Sequence, residues 1–208
     1  MRVLTDYAAA QFVARSLPIA RCALCRTSAD VARAAKQLRL PVVMKLTGVL
    51  HKTDIGGVFI AHDQAALEKG YAQLLKLARR KKLKPVLMLQ EFVQGTEVII
   101  GIKRDAAFGH AIMVGIGGTA VELLKDVSFR ICPITVQDAG EMLGELKMQR
   151  LLTGFRGSPP ANMKQLTALM VKASRLPLRH RTIEEMDINP LIAGPQGAKA
   201  ADVRIVFS

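Results

Sequence analysis

The stretch Thr182-Ile183-Glu184-Glu185-Met186-Asp187-Ile188-Asn189-Pro190-Leu191, read with Asp202 thirteen residues beyond Asn189, decides how this chain is understood. Alternate side chains of a strand share a face, so Glu185, Asp187 and Asn189 fall on one side and Met186 and Ile188 on the other. Gly194-Pro195-Gln196-Gly197 is a turn signal, and Lys199–Phe207 again has the pattern of a strand. A hairpin centred on that turn sets Asn189 opposite Asp202, so that three or four oxygen ligands converge on one point. Ligands of that kind suit Mg²⁺ or Mn²⁺, with a phosphate completing the shell. The plainer reading is a solvated hairpin face. The pattern alone leaves both open.

Working outward, 208 residues of which 50% are hydrophobic suffice for one large domain or two small lobes with a real core. No apolar run reaches the length of a membrane span and the first residues do not resemble a signal peptide, so a soluble, cytoplasmic protein is expected. The net charge of +13 asks for an anionic partner or a solubility role. Part of it is the run Arg79-Arg80-Lys81-Lys82-Leu83-Lys84, which closes an expected helix starting near Gln64 and there favours the negative end of the helix dipole. With aromatics at 4% and no Trp, base-stacking platforms are not expected, and the run reads as a solvated helix end rather than a nucleic-acid patch. Cys22, Cys25 and Cys132 make no disulfide framework. Cys22 and Cys25 lie three apart in an expected strand, facing opposite ways, and no second CxxC completes a zinc site.

The pattern predicts a helix after Thr5 or Asp6 carrying Ala9, Phe12, Val13 and Leu17, a short strand near Ile19–Leu24, and a helix capped by Ser28 over Asp30–Leu38. A buried strand, Pro41–Leu46, ends in Lys45-Leu46, and a loop holding His51 leads to the strand Gly57–Ala61. Strands at Pro85–Phe92, Thr96–Arg104, Phe108–Gly115 and Ser128–Ile134 follow, then helices over Val136–Leu146 and Asn162–Leu176. Several strands are adjacent in sequence, so two α+β lobes fit better than one doubly wound sheet.

Four places besides the hairpin could carry chemistry. Lys45, at the end of an apolar strand, is a snorkelling surface residue or a phosphate-directed charge. Gln90-Glu91-Phe92-Val93 ends a strand, where backbone groups could meet an adenine edge and an acid a ribose; a plain hairpin explains it too. Gly115-Ile116-Gly117-Gly118 supplies amides able to approach phosphate, yet it is neither a dinucleotide fingerprint nor a Walker loop. His51-Lys52-Thr53-Asp54-Ile55-Gly56-Gly57-Val58 puts an imidazole beside two glycines, and an imidazole on a mobile loop can accept a phosphoryl group.

Taken in order, these segments form a recognisable set. With them go Asp105…Phe108-Gly109, Leu151-Leu152-Thr153-Gly154-Phe155-Arg156-Gly157 and Asp202-Val203-Arg204. The chain resembles the ATP-grasp subunit or domain of the NDP-forming acyl-CoA synthetases, the ADP-forming acetate–CoA ligases related to succinyl-CoA synthetase β chains. The resemblance covers nearly all of the sequence. It implies an α+β ATP-grasp fold over residues 1–208, with a small lobe at 18–92, a larger lobe from 1–17 and 93–208, and ATP or ADP between them. It implies Lys45 on the nucleotide phosphates, an adenine hinge at Glu91, Phe92 and Val93, and Glu97 near the ribose. Gly117 and Gly118 would lie near the phosphates, and Mg²⁺ on Asn189 and Asp202 with Asp187 beside them. His51 matches the histidine that receives phosphate and relays it, as catalytic partner to Lys45. It further implies that CoA and the acyl group or carboxylic acid reach the site through a separate CoA-binding α subunit or domain.

The family spacing between that lysine and that histidine is Lys-x-x-Ser-Pro-x-x-x-His. Here it is Lys45-Leu46-Thr47-Gly48-Val49-Leu50-His51, two residues shorter and without Ser-Pro. A shorter loop reaches less far. That feature favours an alternative of another class, a non-catalytic nucleotide-binding module regulating an acyltransferase or other partner enzyme. Intact Lys45, Asn189 and Asp202 favour the enzyme. A basic nucleic-acid-binding protein is the third reading, and it predicts salt-sensitive binding without ATP dependence.

Overall fold

The computed structural model describes residues 1–49, 52–118 and 126–208, which form two compact units. One is continuous, Ala20–Phe92; the other joins Met1–Ile19 to Val93–Ser208.

In the continuous unit, β2 (Cys22–Cys25), β3 (Val42–Leu46), β4 (Val58–Ala61) and β5 (Leu87–Glu91) make an antiparallel sheet in the order β2-β5-β3-β4. Helices α2 (Ser28–Leu38) and α3 (Gln64–Arg80) cover one face. Val42, Met44 and Leu46 of β3 and Leu87 and Leu89 of β5 share a core with Val31 and Leu38 of α2 and with Leu67, Leu74 and Leu77 of α3. Alternation then sends Lys45, Met88 and Gln90 to the face away from the helices. The cap of α2 is Thr27 and not Ser28 as the sequence suggests. Thr27 Oγ1 accepts from Asp30 N at 3.1 Å while Asp30 Oδ2 accepts from Thr27 N at 3.0 Å, a reciprocal box.

In the other unit, β1 (Arg2–Thr5), β6 (Thr96–Asp105), β7 (Gly109–Ile116), β8 (Val127–Ile131), β9 (Ile183–Gly194), β10 (Gly197–Ala200) and β11 (Val203–Phe207) form a seven-stranded antiparallel sheet. Its order is β1-β11-β9-β6-β7-β8, with β10 paired to β9. Helices α1 (Asp6–Val13), α4 (Val136–Gly144), α5 (Arg150–Thr153), α6 (Met163–Ser174) and α7 (Leu176–Arg179) accompany it. Ile100 and Ile102, Ile112 and Val114, Met186 and Ile188, and Val203 and Ile205 stand in rows across four strands and join helix residues such as Met142 and Leu169 in one core. The rows between them carry Gly101, Asp187 and Arg204 on the opposite face.

Further features differ from the sequence expectation, among them the first helix, which ends at Val13 before reaching Leu17. Strand β1 was not expected: it is four residues long, and the strand it pairs with, β11, lies about two hundred residues further along. The expected strand Lys199–Phe207 is two strands, broken at Ala201–Asp202. The short helices α5 and α7 have no amphipathic period from which to read them. Among the described residues no helix is long and apolar enough to cross a membrane.

Candidate functional site

The hairpin of β9 with β10 and β11 keeps one register from its turn as far as Glu185, and slips only beyond that, at Phe207. Gly194 faces Gly197, Leu191 faces Ala200, Ile188 faces Val203, Asp187 faces Arg204 and Glu185 faces Val206. Asn189 therefore stands opposite Asp202, and its N–H donates to the Asp202 carbonyl at 3.1 Å. Both residues sit at an irregularity. On β6, Val98 pairs with Leu191 and Ile100 with Ile188, so Asn189 and Pro190 together oppose the single Ile99. A bulge of this kind re-aims a side chain and is frequent beside active sites. The break at Ala201–Asp202 lies across from it.

Around this pair the charges are arranged unequally. Glu185 Oε1 accepts from Arg204 Nη1 at 3.0 Å, so this acid is already engaged. Asp187 is half-buried beside Gly101. Burial pushes its carboxyl up to about 6, Glu185 adding to the rise, Arg204 opposing it and Asp202 contributing a further small rise. Among the described residues no group of three or more His, Cys, Asp or Glu side chains converges as a metal cage. Of the oxygens expected to converge here, Glu185 is held by Arg204, which leaves Asn189, Asp202 and Asp187 as the candidate set. A partial, all-oxygen set fits Mg²⁺, which keeps waters and takes one or two carboxylates together with substrate phosphates.

At one end of the same sheet Gly117 N donates to Glu97 O at 2.6 Å. A Cβ on Gly117 would lie 2.7 Å from Glu97 Cβ and 3.1 Å from its backbone carbon, so only glycine brings the two chains this close. Gly118 follows with φ of 91° and open space around its Cα. Glu97 is exposed. These three residues are thus brought together; Glu122, the acid beyond the glycines, lies outside the described residues.

In the continuous unit Lys45 is 6% exposed and stands between Met88 of β5 and Val58 of β4. Cys22 shares its surroundings: burial raises the thiol, the Lys45 charge opposes this, and Glu91 adds to the rise. The Glu91 carboxylate accepts from Arg21 N at 2.9 Å and Arg21 Nε at 2.8 Å. Its backbone N–H donates to Arg21 O, and Phe92 N–H donates to Pro41 O at 3.3 Å. The supply of hinge donors expected at Glu91, Phe92 and Val93 is therefore narrower than the sequence suggests. The N–H groups of Glu91 and Phe92 are spent within the protein. Arg21 and Arg204, which hold two of these acids, were missed. Arg204 was findable, standing in the quoted run Asp202-Val203-Arg204 and facing Asp187 across the hairpin. His51 lies outside the described residues.

The family profile described as the ATP-grasp domain matches residues 1–207. The chain belongs to the ATP-grasp family. This ATP-grasp chain is 38% identical over 199 residues to the subunit beta of acetate–CoA ligase [ADP-forming] I of Pyrococcus furiosus, a match covering 92% of this chain and 85% of that one. It is 37% identical over 200 residues to acetate–CoA ligase [ADP-forming] I of Archaeoglobus fulgidus, where 93% of this chain covers only 29% of the longer protein. Among solved structures, the dinucleotide forming acetyl-coenzyme A synthetase 1 of Ca. Korarchaeum cryptofilum, in complex with coenzyme A, Ca-AMPCP and HgCl⁺, superimposes with a TM-score of 0.92 at 33% identity. That match covers 100% of this chain and 94% of the other. The α+β fold expected from the sequence is thereby established.

Proposed function

We propose that this ATP-grasp chain is the nucleotide-handling component of an ADP-forming acid–CoA ligase. With a CoA-binding partner subunit or domain it would interconvert acyl-CoA, ADP and phosphate with free acid, CoA and ATP. The observation that carries the reading is the hairpin register, which pairs Asn189 with Asp202 at a bulge and leaves Asp187 beside them. Its closest support outside the site is the 38% identity to a β subunit of such a ligase over nearly its whole length.

The roles follow from each side chain's chemistry. Asn189 and Asp202, with Asp187, would hold Mg²⁺, which neutralises phosphate charge and orients the transferring group. Lys45, a buried ammonium on a rigid strand, supplies a fixed positive charge to the phosphates without needing reorganisation during the reaction. Gly117 and Gly118 would lie near the phosphates, where the Gly118 amide offers a donor, the Gly117 amide being given to the Glu97 carbonyl. Val93 and the carbonyl of Glu91 would meet the adenine edge, and Glu97 the ribose. His51 is the proposed phosphoryl acceptor, and the acyl group and CoA come with the partner.

Calorimetric titration with ADP and ATP, with and without Mg²⁺, tests this. Wild type should bind nucleotide more tightly with the metal, and Asp202→Ala should lose that metal-dependent gain by at least about tenfold, the scale of one charge-assisted contact. A wild-type chain that binds neither nucleotide sinks the reading. Labelled phosphate appearing on His51, with the partner present, separates the enzyme from a regulatory module, which would bind nucleotide and remain unlabelled.

A further inference from the structure

The segment Gly154-Phe155-Arg156-Gly157-Ser158 takes no part in the site described above, yet its geometry is unusual. Ser158 N donates to Phe155 O at 3.0 Å and the two residues form a bridge, so Arg156 and Gly157 are the tip of a tight turn. Both have positive φ, 48° at Arg156 and 83° at Gly157. Such turns favour Asn-Gly, because a long side chain in the left-handed region costs on the order of 1 kcal/mol. An arginine is nevertheless there. Its guanidinium lies 5.3 Å from the centroid of the Phe155 ring, and that ring is 45% exposed. Among the described residues no carboxylate pairs with Arg156. From Leu146 to Ile183 the chain carries eight Lys or Arg and no Asp or Glu.

The base of the turn is fixed. Ala161 N donates to Leu152 O at 2.8 Å, closing the loop, and Thr96 Oγ1 donates to Leu151 O at 2.9 Å. Thr96 directly precedes Glu97, whose carbonyl receives the Gly117 amide. The turn is therefore anchored to the end of the sheet from which the Gly117-Gly118 segment departs. An aromatic ring presses one side of the guanidinium and leaves its N–H fork open, the form that recognises a phosphate through two parallel hydrogen bonds.

We propose that the Phe155–Ser158 turn is a phosphate-recognising finger, with Arg156 as its contact. The proposal rests on the nucleotide-using reading above and adds a residue to it. The phosphate could belong to the bound nucleotide or to the inorganic phosphate and phosphoryl group that the reaction exchanges; the chemistry at Arg156 is the same.

Arg156→Asn tests it, since Asn accepts the left-handed conformation and keeps the turn while removing the guanidinium. Calorimetry with ADP, and then with inorganic phosphate added to the ADP-loaded chain, reads the two sources separately. About tenfold weaker binding of ADP assigns the finger to the nucleotide. An unchanged ADP affinity with about tenfold weaker phosphate binding assigns it to the exchanged phosphate. Arg156→Lys should recover only part of the loss, because a point charge does not reproduce the fork. The melting temperature of Arg156→Asn should stay level or rise, whereas a merely structural residue would lower it. Wild-type affinity for both probes in Arg156→Asn overturns the proposal while leaving the nucleotide reading intact; a wild type that binds no ADP overturns that reading first.

Discussion

Asp187 is the residue whose environment makes the sharpest demand. Its carboxyl rises to about 6 in the fold, from an ordinary value near 4 in the unfolded chain, chiefly through burial. The folded state therefore holds its proton more tightly than the unfolded one. Stability from this group is fully present below about pH 4, and is lost as pH rises from 4 through 6. The loss amounts to at most about 3 kcal/mol, from 1.36 kcal/mol for each unit of displacement. Urea melts of the metal-free chain at pH 4.5 and 7 should show this decline, and Asp187→Asn should flatten it. A cation at the hairpin supplies the missing countercharge, so Mg²⁺ with ADP should restore stability at pH 7 in wild type but much less in Asp187→Asn. A slope unchanged by the substitution would mean another group sets it.

At the scale of single elements, the structure shows which local signals can be trusted. The hairpin register was legible because a glycine turn and two flanking strands leave one way to pair. The pairing of Asn189 with Asp202 followed from counting alone. The bulge at Asn189-Pro190 and the break at Ala201-Asp202 were not legible: a period of two carries no mark for the place where it slips, and only the pairing of Val98 and Ile100 across β6 exposes it. The α2 cap shows a milder version. Thr27 and Ser28 are adjacent and equally suited by type, and what separates them is Asp30, three residues after Thr27. Thr27→Ala should cost about 1 kcal/mol in a denaturant melt, and Ser28→Ala only a few tenths. Equal losses would return the cap to Ser28. The strand end at Glu91 was legible. Its shortage of donors was not, because Arg21 and Pro41 reach it across the sheet.

For the whole molecule, the two separate cores predict that residues 20–92 fold on their own. Their sheet, both helices and their apolar cluster close within that span. The same span carries fourteen of the Lys and Arg against five Asp and Glu, so most of the net charge of +13 belongs to it. Self-repulsion of that size is screened by salt. The excised fragment should melt cooperatively by circular dichroism, at a temperature that rises when sodium chloride is raised from about 50 to 500 mM; a fragment without a cooperative transition refutes the independence of its core. The two-lobe α+β architecture was readable from the run of adjacent strands. The two-piece make-up of the larger unit was harder, because pairing across two hundred residues leaves no local trace.

That pairing has a consequence in time. Arg2 lies against Phe207 and Thr5 against Arg204, so β1 is completed only by a strand about two hundred residues further along. At a synthesis rate of roughly 5–20 residues per second, β1 waits on the order of 10–40 s for its neighbour. Meanwhile the intervening span from 20 to 92 has everything required to settle. The ribosome thus delivers residues 20–92 ready to settle first, while the other unit stays open at β1 until β11 has been made.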